Sequence, residues 1–161
     1  MGSGKSSVGR LLAQSLGLPF IDLDEVIVAA AGKTINAVFA EEGEPAFRAL
    51  ESACLERVLE GARGVIATGG GAVVAEQNRR LMQRYGTVIN LTASLPRLLE
   101  RLSGSEDRPL YAGERPEERM RRLLEEREQF YAAADIRIDT DAKSVEDVAA
   151  EILRYLKGLP A

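Results

Sequence analysis

The spacing of apolar residues along the chain predicts amphipathic helices that alternate with short buried strands. Between positions 5 and 16, apolar side chains recur at the period of one helix face, and Gly17 can end that helix in the left-handed conformation. Short apolar runs bounded by Gly, Pro or charged residues are typical of strands buried on both faces. These criteria predict helices over 5–16, 24–31, 34–42, 45–59, 76–84, 95–102, 116–132 and 144–157, and strands over 18–22, 64–68, 87–91 and 136–139.

Residues that commonly begin helices support several of these boundaries. Pro45 lies near the start of one predicted helix, and Ser144 is placed to cap the last helix, with Glu146 and Asp147 in its first turn. The segment 103–115 contains Gly, Pro and charged residues without a period, which predicts a long loop. The alternation of strands and helices predicts a single α/β domain, in which helices cover both faces of a parallel sheet.

Composition excludes several classes of protein and of chemistry. The chain has 161 residues, a length that suits one domain, and its net charge of −4 argues against nucleic-acid binding. It contains no His, which excludes an imidazole base, a Ser-His-Asp triad and His-ligated zinc. Its one cysteine, Cys54, cannot form an internal disulfide and lies in a helical pattern typical of a buried thiol. No apolar run approaches the ~20 residues that span a bilayer, so we expect a cytoplasmic protein without membrane partners.

The strongest motif is Gly2-Ser3-Gly4-Lys5-Ser6-Ser7, the end of a phosphate-binding P-loop that opens a helix. Glycines let backbone N–H groups approach phosphate oxygens, and the helix N-terminus adds positive potential. Lys5 can neutralise the β- and γ-phosphates of a nucleotide, and the Ser6 hydroxyl can bind Mg²⁺. The alternative is a Gly-Ser turn before an ordinary helix.

The P-loop motif is incomplete in this chain. Its first glycine would lie two residues before Met1, and the strand that leads into the loop would lie before that glycine. Loss of about five buried apolar residues, at roughly 1.5–3 kcal/mol each, removes about as much free energy as a whole domain's stability. We therefore expect the native protein to start upstream, with Met1 an internal methionine.

Asp22 and Asp24 are the best candidates for carboxylates at a metal and acceptor site. They follow the predicted strand 18–22, and an extended i, i+2 pair directs both side chains to one side, at the sheet edge where α/β proteins bind ligands. Asp22 could then face a metal ion and Asp24 a substrate hydroxyl. The alternative is that Asp24 caps the next helix, a role compatible with ligand binding.

Three further features are candidates for the acceptor site. Arg48 and Glu51 are i, i+3 neighbours, so the carboxylate can orient the guanidinium toward a pocket; the alternative is a solvated surface ion pair. The glycines at 69–71 allow close approach of the backbone to a ligand, or simply form a flexible turn. Arg127, with Tyr131 one turn later, follows the long loop, although taken alone it is one more charge on a charged helix.

Taken together, these motifs resemble shikimate kinase, a P-loop small-molecule kinase similar to the nucleoside-monophosphate kinases. The resemblance spans essentially the whole chain in the family's order of elements. It rests on Gly-Ser-Gly-Lys-Ser, Asp-x-Asp, Phe-Arg-x-x-Glu at 47–51, Gly-Gly-Gly, Arg-Pro-Leu at 108–110 and Arg-x-x-x-Tyr at 127–131. Each motif is modest alone, and their order and spacing make the set specific. The departure from the family's pattern is the absent leading strand and first P-loop glycine.

The resemblance implies transfer of the γ-phosphoryl group of ATP to the 3-hydroxyl of shikimate, with Mg²⁺ as cofactor. The P-loop residues 2–7, and Lys5 in particular, would bind the nucleotide, while Ser6 with Asp22 would hold Mg²⁺. Asp24 would bind the ring hydroxyls and could accept the proton.

The resemblance also assigns the acceptor and the mobile parts. Arg48 and Arg127 would bind the shikimate carboxylate, and the Gly70 backbone would contact the substrate. Residues 34–60 would form the substrate-binding insertion, and 103–115 a lid on which Arg108 reaches the phosphates. We expect a monomer. Two alternatives remain open: another small P-loop kinase, such as a gluconate or nucleotide kinase, and a non-catalytic nucleotide-binding relic.

Overall fold

The computed structural model describes residues 3–61, 63–102 and 115–158, in which helices and parallel strands alternate. The strands are β1 Phe20–Asp22, β2 Val65–Ala67, β3 Ile89–Thr92 and β4 Ile136–Asp139. The helices are α1 Lys5–Leu16, α2 Leu23–Ala31, α3 Ile35–Gly61, α4 Glu76–Tyr85, α5 Leu95–Leu102, α6 Pro116–Tyr131 and α7 Val145–Leu156, with a 3-10 turn at Ala72–Val74.

The strands form two parallel pairs. β1 pairs with β2, so that Asp22 at the end of β1 lies opposite Ala67 at the end of β2. β3 pairs with β4, with Ile89 opposite Ile136. In the described part of the chain, these pairs are separate two-stranded sheets. The first pairing brings the residues that follow Asp22 next to the glycine-rich segment that follows β2.

Two apolar cores lie on opposite sides of the strands. One core joins α2, α3 and α4, where Leu23 and Leu55 are fully buried. The other core joins α1 and α7 to β4, with Ile138 fully buried between them. Successive residues of β2 divide between the cores: Val65 packs into the second and Ile66 into the first. This alternation confirms the expected three-layer α/β/α arrangement with parallel strands.

The predicted elements occur at the expected places, with small shifts at their ends. Strand 18–22 is shorter than predicted, and the 3-10 turn was not predicted. The predicted helices 34–42 and 45–59 are continuous except at Gly43, where a φ of 84° breaks the helical backbone. Gly17 ends α1 at φ 65°, as expected. Ser144 caps α7 in a reciprocal hydrogen-bonded box with Asp147.

Among the described residues, no helix combines the length and the apolar composition needed to cross a membrane.

Candidate active site

The described part of the P-loop is arranged around the first turn of α1. Gly4 adopts φ 84° immediately before the helix, a left-handed conformation that glycine takes without strain. Lys5 Nζ donates a hydrogen bond to Ser3 Oγ at 3.3 Å, which holds the ammonium group over the loop. Ser3 is buried, while Ser6 and Ser7 are exposed. The ammonium group and the N-terminus of α1 together make this end of the site suited to phosphate.

Asp22 joins the P-loop helix to the start of α2. Its Oδ2 accepts a hydrogen bond from Ser6 Oγ at 2.9 Å, and its Oδ1 accepts from the backbone N–H of Asp24 at 3.0 Å. The second bond makes Asp22 the cap of α2, so the interpretation that Asp24 is the cap is wrong. A Ser hydroxyl and a carboxylate in contact are hard oxygen ligands, which fit Mg²⁺ that is otherwise bound by water and substrate phosphates.

Arg48 and Glu51 form a partly buried ion pair. Arg48 Nη1 donates to Glu51 Oε2 at 2.7 Å, and Nε and Nη2 donate to Glu44 at 3.3 and 3.2 Å. Only 2 % of the Glu51 side chain is exposed, against 27 % for Arg48. The solvated surface pair is therefore the wrong interpretation. Glu51 instead fixes the direction of the guanidinium from beneath, and a guanidinium held in this way is suited to a carboxylate ligand.

The glycine-rich segment passes directly over these charges. A Cβ added at Gly69 would lie 3.2 Å from Glu51 Oε1 and 3.5 Å from Asp24 Oδ1. A Cβ added at Gly71 would lie 2.5 Å from both Nη atoms of Arg48. The absence of side chains at 69–71 thus lets the backbone approach the ionic groups closely, which a flexible turn alone does not require.

The charged groups around Glu51 interact with one another electrostatically. Burial raises the pKa of the Glu51 carboxyl, and the hydrogen bond and positive charge of Arg48 oppose that rise. The negative charge of Asp24 raises this pKa further, whereas the positive charge of Arg127 lowers it. Two carboxylates and two guanidinium groups, from α2, α3 and α6, therefore act on one another at one place in the fold.

A cavity of about 270 Å³ connects the P-loop to α6. Ser3 and Lys5 lie in its wall together with Gly70, Arg127 and Tyr131. Apolar side chains of β3 and α6 line much of the rest, beside polar ones that include Glu128 and Arg137. Arg127 is partly buried in this wall, unlike the exposed charges around it on α6. The cavity therefore joins the P-loop, which is suited to phosphate, to a guanidinium group that can neutralise an acidic acceptor.

Some predicted site residues lie outside the described residues: Gly2 of the P-loop, Arg108, and all of the predicted lid 103–115 except Arg115. The described candidates meet at two neighbouring places. Ser3, Lys5, Ser6 and Asp22 form the P-loop end, while Asp24, Arg48, Gly70 and Arg127 surround the ionic cluster and the cavity.

Three side chains that support the glycine-rich segment or the 3-10 turn that follows it were not assigned roles from sequence. Tyr131 Oη donates to the Gly70 carbonyl at 2.7 Å. The buried Asn78 donates from Nδ2 to the Ala72 carbonyl at 3.0 Å, and Arg79 Nη1 donates to the carbonyls of Val73 and Val74. Only Tyr131 had a sequence signal, because its i, i+4 spacing from Arg127 places both residues on the same face of a helix.

Comparison with known sequences identifies relatives across nearly the whole chain. A family model described as shikimate kinase matches residues 1–157. The shikimate kinase of Geobacter metallireducens is 52 % identical over 158 residues, covering 98 % of this chain and 88 % of that protein. The shikimate kinase of Symbiobacterium thermophilum is 48 % identical over 160 residues, covering 98 % and 92 %.

Solved structures agree with the sequence comparison. The shikimate kinase of Acinetobacter baumannii, solved in complex with shikimate, superposes with a TM-score of 0.91 at 36 % identity, covering 98 % of this chain and 89 % of that chain. The enzyme of Aquifex aeolicus gives a TM-score of 0.82 at 37 % identity, covering 98 % and 92 %. The family model matches almost the whole of this chain, and relatives are found in both sequence and structure. This chain therefore belongs to the shikimate kinase family.

Proposed function

We propose that the two ends of the site divide the work of phosphoryl transfer, the P-loop end holding ATP and the arginine end holding shikimate. As a member of its family, the chain is an enzyme that phosphorylates the 3-hydroxyl of shikimate with ATP. The observation that carries the division of labour is the cavity that runs from Ser3 and Lys5 to Arg127. An anionic nucleotide and an anionic acceptor each need a cation, and each end provides one.

At the P-loop end, Lys5 neutralises the transferring phosphoryl group, and the backbone N–H groups at the start of α1 bind phosphate oxygens. Ser6 and Asp22, in contact at 2.9 Å, would hold Mg²⁺. When bound, Mg²⁺ supplies neutralisation of the charge shared between the β- and γ-phosphates. Asp22 keeps its second oxygen on the cap of α2, so the carboxylate stays oriented before any nucleotide arrives.

At the arginine end, Arg48 and Arg127 bind the carboxylate of shikimate. Two guanidinium groups held by separate helices can meet one carboxylate from two directions, which fixes the ring as well as its charge. Asp24 binds a ring hydroxyl and accepts its proton as the phosphoryl group is transferred. In this proposal, residues 34–60 form the substrate-binding insertion, because they carry Arg48 and its partner Glu51.

The alternatives differ in the acceptor and in turnover. Membership of the family favours shikimate over gluconate or a nucleotide as acceptor, and it favours an enzyme over a nucleotide-binding relic. A cytoplasmic location agrees with the buried free thiol of Cys54, and it stays a prediction, as does the monomeric state.

The test is the release of ADP from Mg-ATP with and without shikimate, with gluconate as the competing acceptor. We expect release that depends on shikimate, and a phosphate monoester at the 3-oxygen detected by ³¹P NMR. Arg127→Ala is compared with Arg121→Ala, since Arg121 is an exposed arginine on the same helix, paired with Glu117. Phosphorylation of gluconate in preference to shikimate would contradict the proposal, and so would equal shikimate turnover by the two variants.

A further inference from the structure

Arg48 has two carboxylate partners on α3, and they hold its guanidinium group with different strength. Glu51 accepts from Nη1 at 2.7 Å, and only 2 % of its side chain is exposed. Glu44 accepts from Nε and Nη2 at 3.3 and 3.2 Å, and 62 % of its side chain is exposed. Charge-assisted hydrogen bonds of this kind are usually about 2.7–2.9 Å long. Glu51 is therefore the fixed partner of Arg48, and Glu44 is the loosely held one.

Glu44 lies on an edge of the guanidinium group that suits a carboxylate ligand. Nε and Nη2 present two N–H groups side by side, and a carboxylate matches such a pair best with both of its oxygens. Glu44 instead meets both nitrogens with one and the same oxygen, Oε1. A carboxylate that approaches with two oxygens would therefore form the stronger ion pair at this edge.

The charges around Arg48 also favour movement of Glu44 when an anion binds. In the described part of the chain, this cluster contains three carboxylates, on Asp24, Glu44 and Glu51, beside the guanidinium groups of Arg48 and Arg127. A fourth carboxylate, brought by the acceptor, adds like-charge repulsion unless one of the three withdraws. Asp24 is partly buried and Glu51 is almost completely buried. Glu44 is thus the one of the three that water can readily stabilise after withdrawal.

The backbone around Glu44 makes this withdrawal inexpensive. Gly43, with φ 84°, breaks the helical backbone of α3, and Glu44 begins the section that follows. A carboxylate near the start of a helical segment is stabilised by the positive end of the helix dipole. An exposed ion pair such as that of Glu44 with Arg48 contributes little to stability. Glu44 released from Arg48 therefore keeps a favourable electrostatic environment and loses only a weak contact.

We infer that Glu44 is an internal competitor of the acceptor, which occupies the Nε–Nη2 edge of Arg48 until the acceptor's carboxylate displaces it. This inference rests on the proposed function, in which Arg48 binds that carboxylate. Glu44 then helps to set how tightly an acidic acceptor binds, because each binding event exchanges one carboxylate for another. A neutral analogue cannot drive this exchange, so the effect of Glu44 depends on the charge of the acceptor.

The test compares Glu44→Gln with Glu117→Gln at saturating Mg-ATP. Glu117 is a matched control, because its side chain is 59 % exposed and it precedes its partner Arg121 by four positions, as Glu44 precedes Arg48. We expect Glu44→Gln to lower the KM for shikimate about two- to fivefold, the range that corresponds to loss of an exposed ion pair. The KM for ATP should stay unchanged, and Glu117→Gln should leave both values at those of wild type.

The methyl ester of shikimate separates displacement of Glu44 from a general loosening of the site. The ester group carries no negative charge, so Glu44→Gln should leave its KM unchanged, or its inhibition constant if it is not phosphorylated. The dissociation constant of shikimate without nucleotide, measured by titration of ¹⁵N-labelled protein, is a readout independent of turnover. For Glu44→Gln it should fall by the same factor as the KM. In wild-type protein, the Arg48 Nε–H resonance should shift as shikimate binds.

The outcomes separate the inference from the proposed function. In an active enzyme, a shikimate KM for Glu44→Gln equal to or above that of Glu117→Gln would overturn the inference, because a fixed support of Arg48 predicts that result. An equal fall for the methyl ester would overturn it too, since the charge of the acceptor would then have no influence. Wild-type protein without ADP release that depends on shikimate would instead overturn the proposed function.

Discussion

The contact between Gly71 and Arg48 predicts that one added methyl group impairs acceptor binding and leaves the fold intact. Gly71 has φ −90° and ψ −11°, a backbone conformation that alanine adopts freely, so Gly71→Ala introduces no backbone strain. The new Cβ would lie 2.5 Å from both Nη atoms of Arg48, and ordinary contact begins at 3.4 Å. The guanidinium must therefore move by about 1 Å, the scale of misplacement that costs about 100-fold in rate.

The expected energetic costs differ between folding and catalysis. The guanidinium is the free end of a flexible side chain, so overpacking here costs at the lower end of about 1–3 kcal/mol. For a domain of this size, that corresponds to a fall in Tm of about 2–4 °C. We expect kcat/KM for shikimate to fall about 10- to 100-fold, equivalent to about 1.4–2.8 kcal/mol of transition-state stabilisation. The KM for ATP should remain unchanged, since the nucleotide end does not contact Gly71.

The assay measures ADP release against shikimate at saturating Mg-ATP, with a melting curve for each variant. Gly86→Ala is the matched control, because a Cβ at Gly86 meets nothing within 4 Å and its φ of −174° is extended backbone. If Gly71→Ala acts through Arg48, then adding it to Arg48→Ala should have little further effect. Wild-type shikimate kinetics for Gly71→Ala, or full additivity with Arg48→Ala, would refute the reasoning.

Four further substitutions test the remaining assignments. Lys5→Ala should reduce kcat at least about 100-fold, as removal of a cation from a developing phosphoryl charge does, and retained activity would argue against the P-loop assignment. Arg127→Ala should raise the shikimate KM at least about tenfold with ATP binding nearly intact, whereas Arg121→Ala should not; equal KM values would remove Arg127 from the site. Ser6→Ala should raise the Mg²⁺ concentration for half-maximal ADP release, and an unchanged Mg²⁺ dependence would count against its role as a ligand. For Glu51, burial raises the folded-state pKa, so its contribution to stability is greatest in acid and declines as pH rises from about 4.5 through that raised pKa. The unfolding free energy of Glu51→Gln minus that of wild type, measured by urea titration, should therefore increase from about pH 4 to about pH 7. A difference that does not change with pH would contradict this.

Periodicity and caps were sufficient to predict most of the fold. The helix 95–102 and the strand 136–139 occur as predicted, because an amphipathic period and a bounded apolar run are local signals. The 3-10 turn at Ala72–Val74 was missed since three apolar residues carry no period. The separation of the strands into two pairs was not predicted either, because pairing depends on contacts between distant segments.

The sequence predicted which residue types belong to the candidate site better than it predicted their burial and their hydrogen-bond partners. The sequence placed Arg48 and Glu51 as neighbours but left a solvated surface pair open as the alternative, because burial of Glu51 depends on the glycine-rich segment that passes over it from another part of the chain. The capping of α2 by Asp22 instead of Asp24 reflects where α2 begins, at Leu23, which apolar patterning locates only to within a residue or two. The anchors Asn78 and Arg79 gave no sequence signal, as both act on backbone carbonyls.

The two oxygens of the Asp22 carboxylate accept hydrogen bonds from different groups, and this affects the choice of a variant for crystallising the enzyme with its substrates bound. One oxygen caps α2 and the other meets Ser6, so replacement by Ala would remove a helix cap worth about 1 kcal/mol together with the negative charge. Asparagine caps helices as well as aspartate does, and it carries no charge. Asp22→Asn is therefore suited to be a folded, slow enzyme that retains both substrates long enough for crystallography, while Asp22→Ala confounds lost chemistry with lost stability.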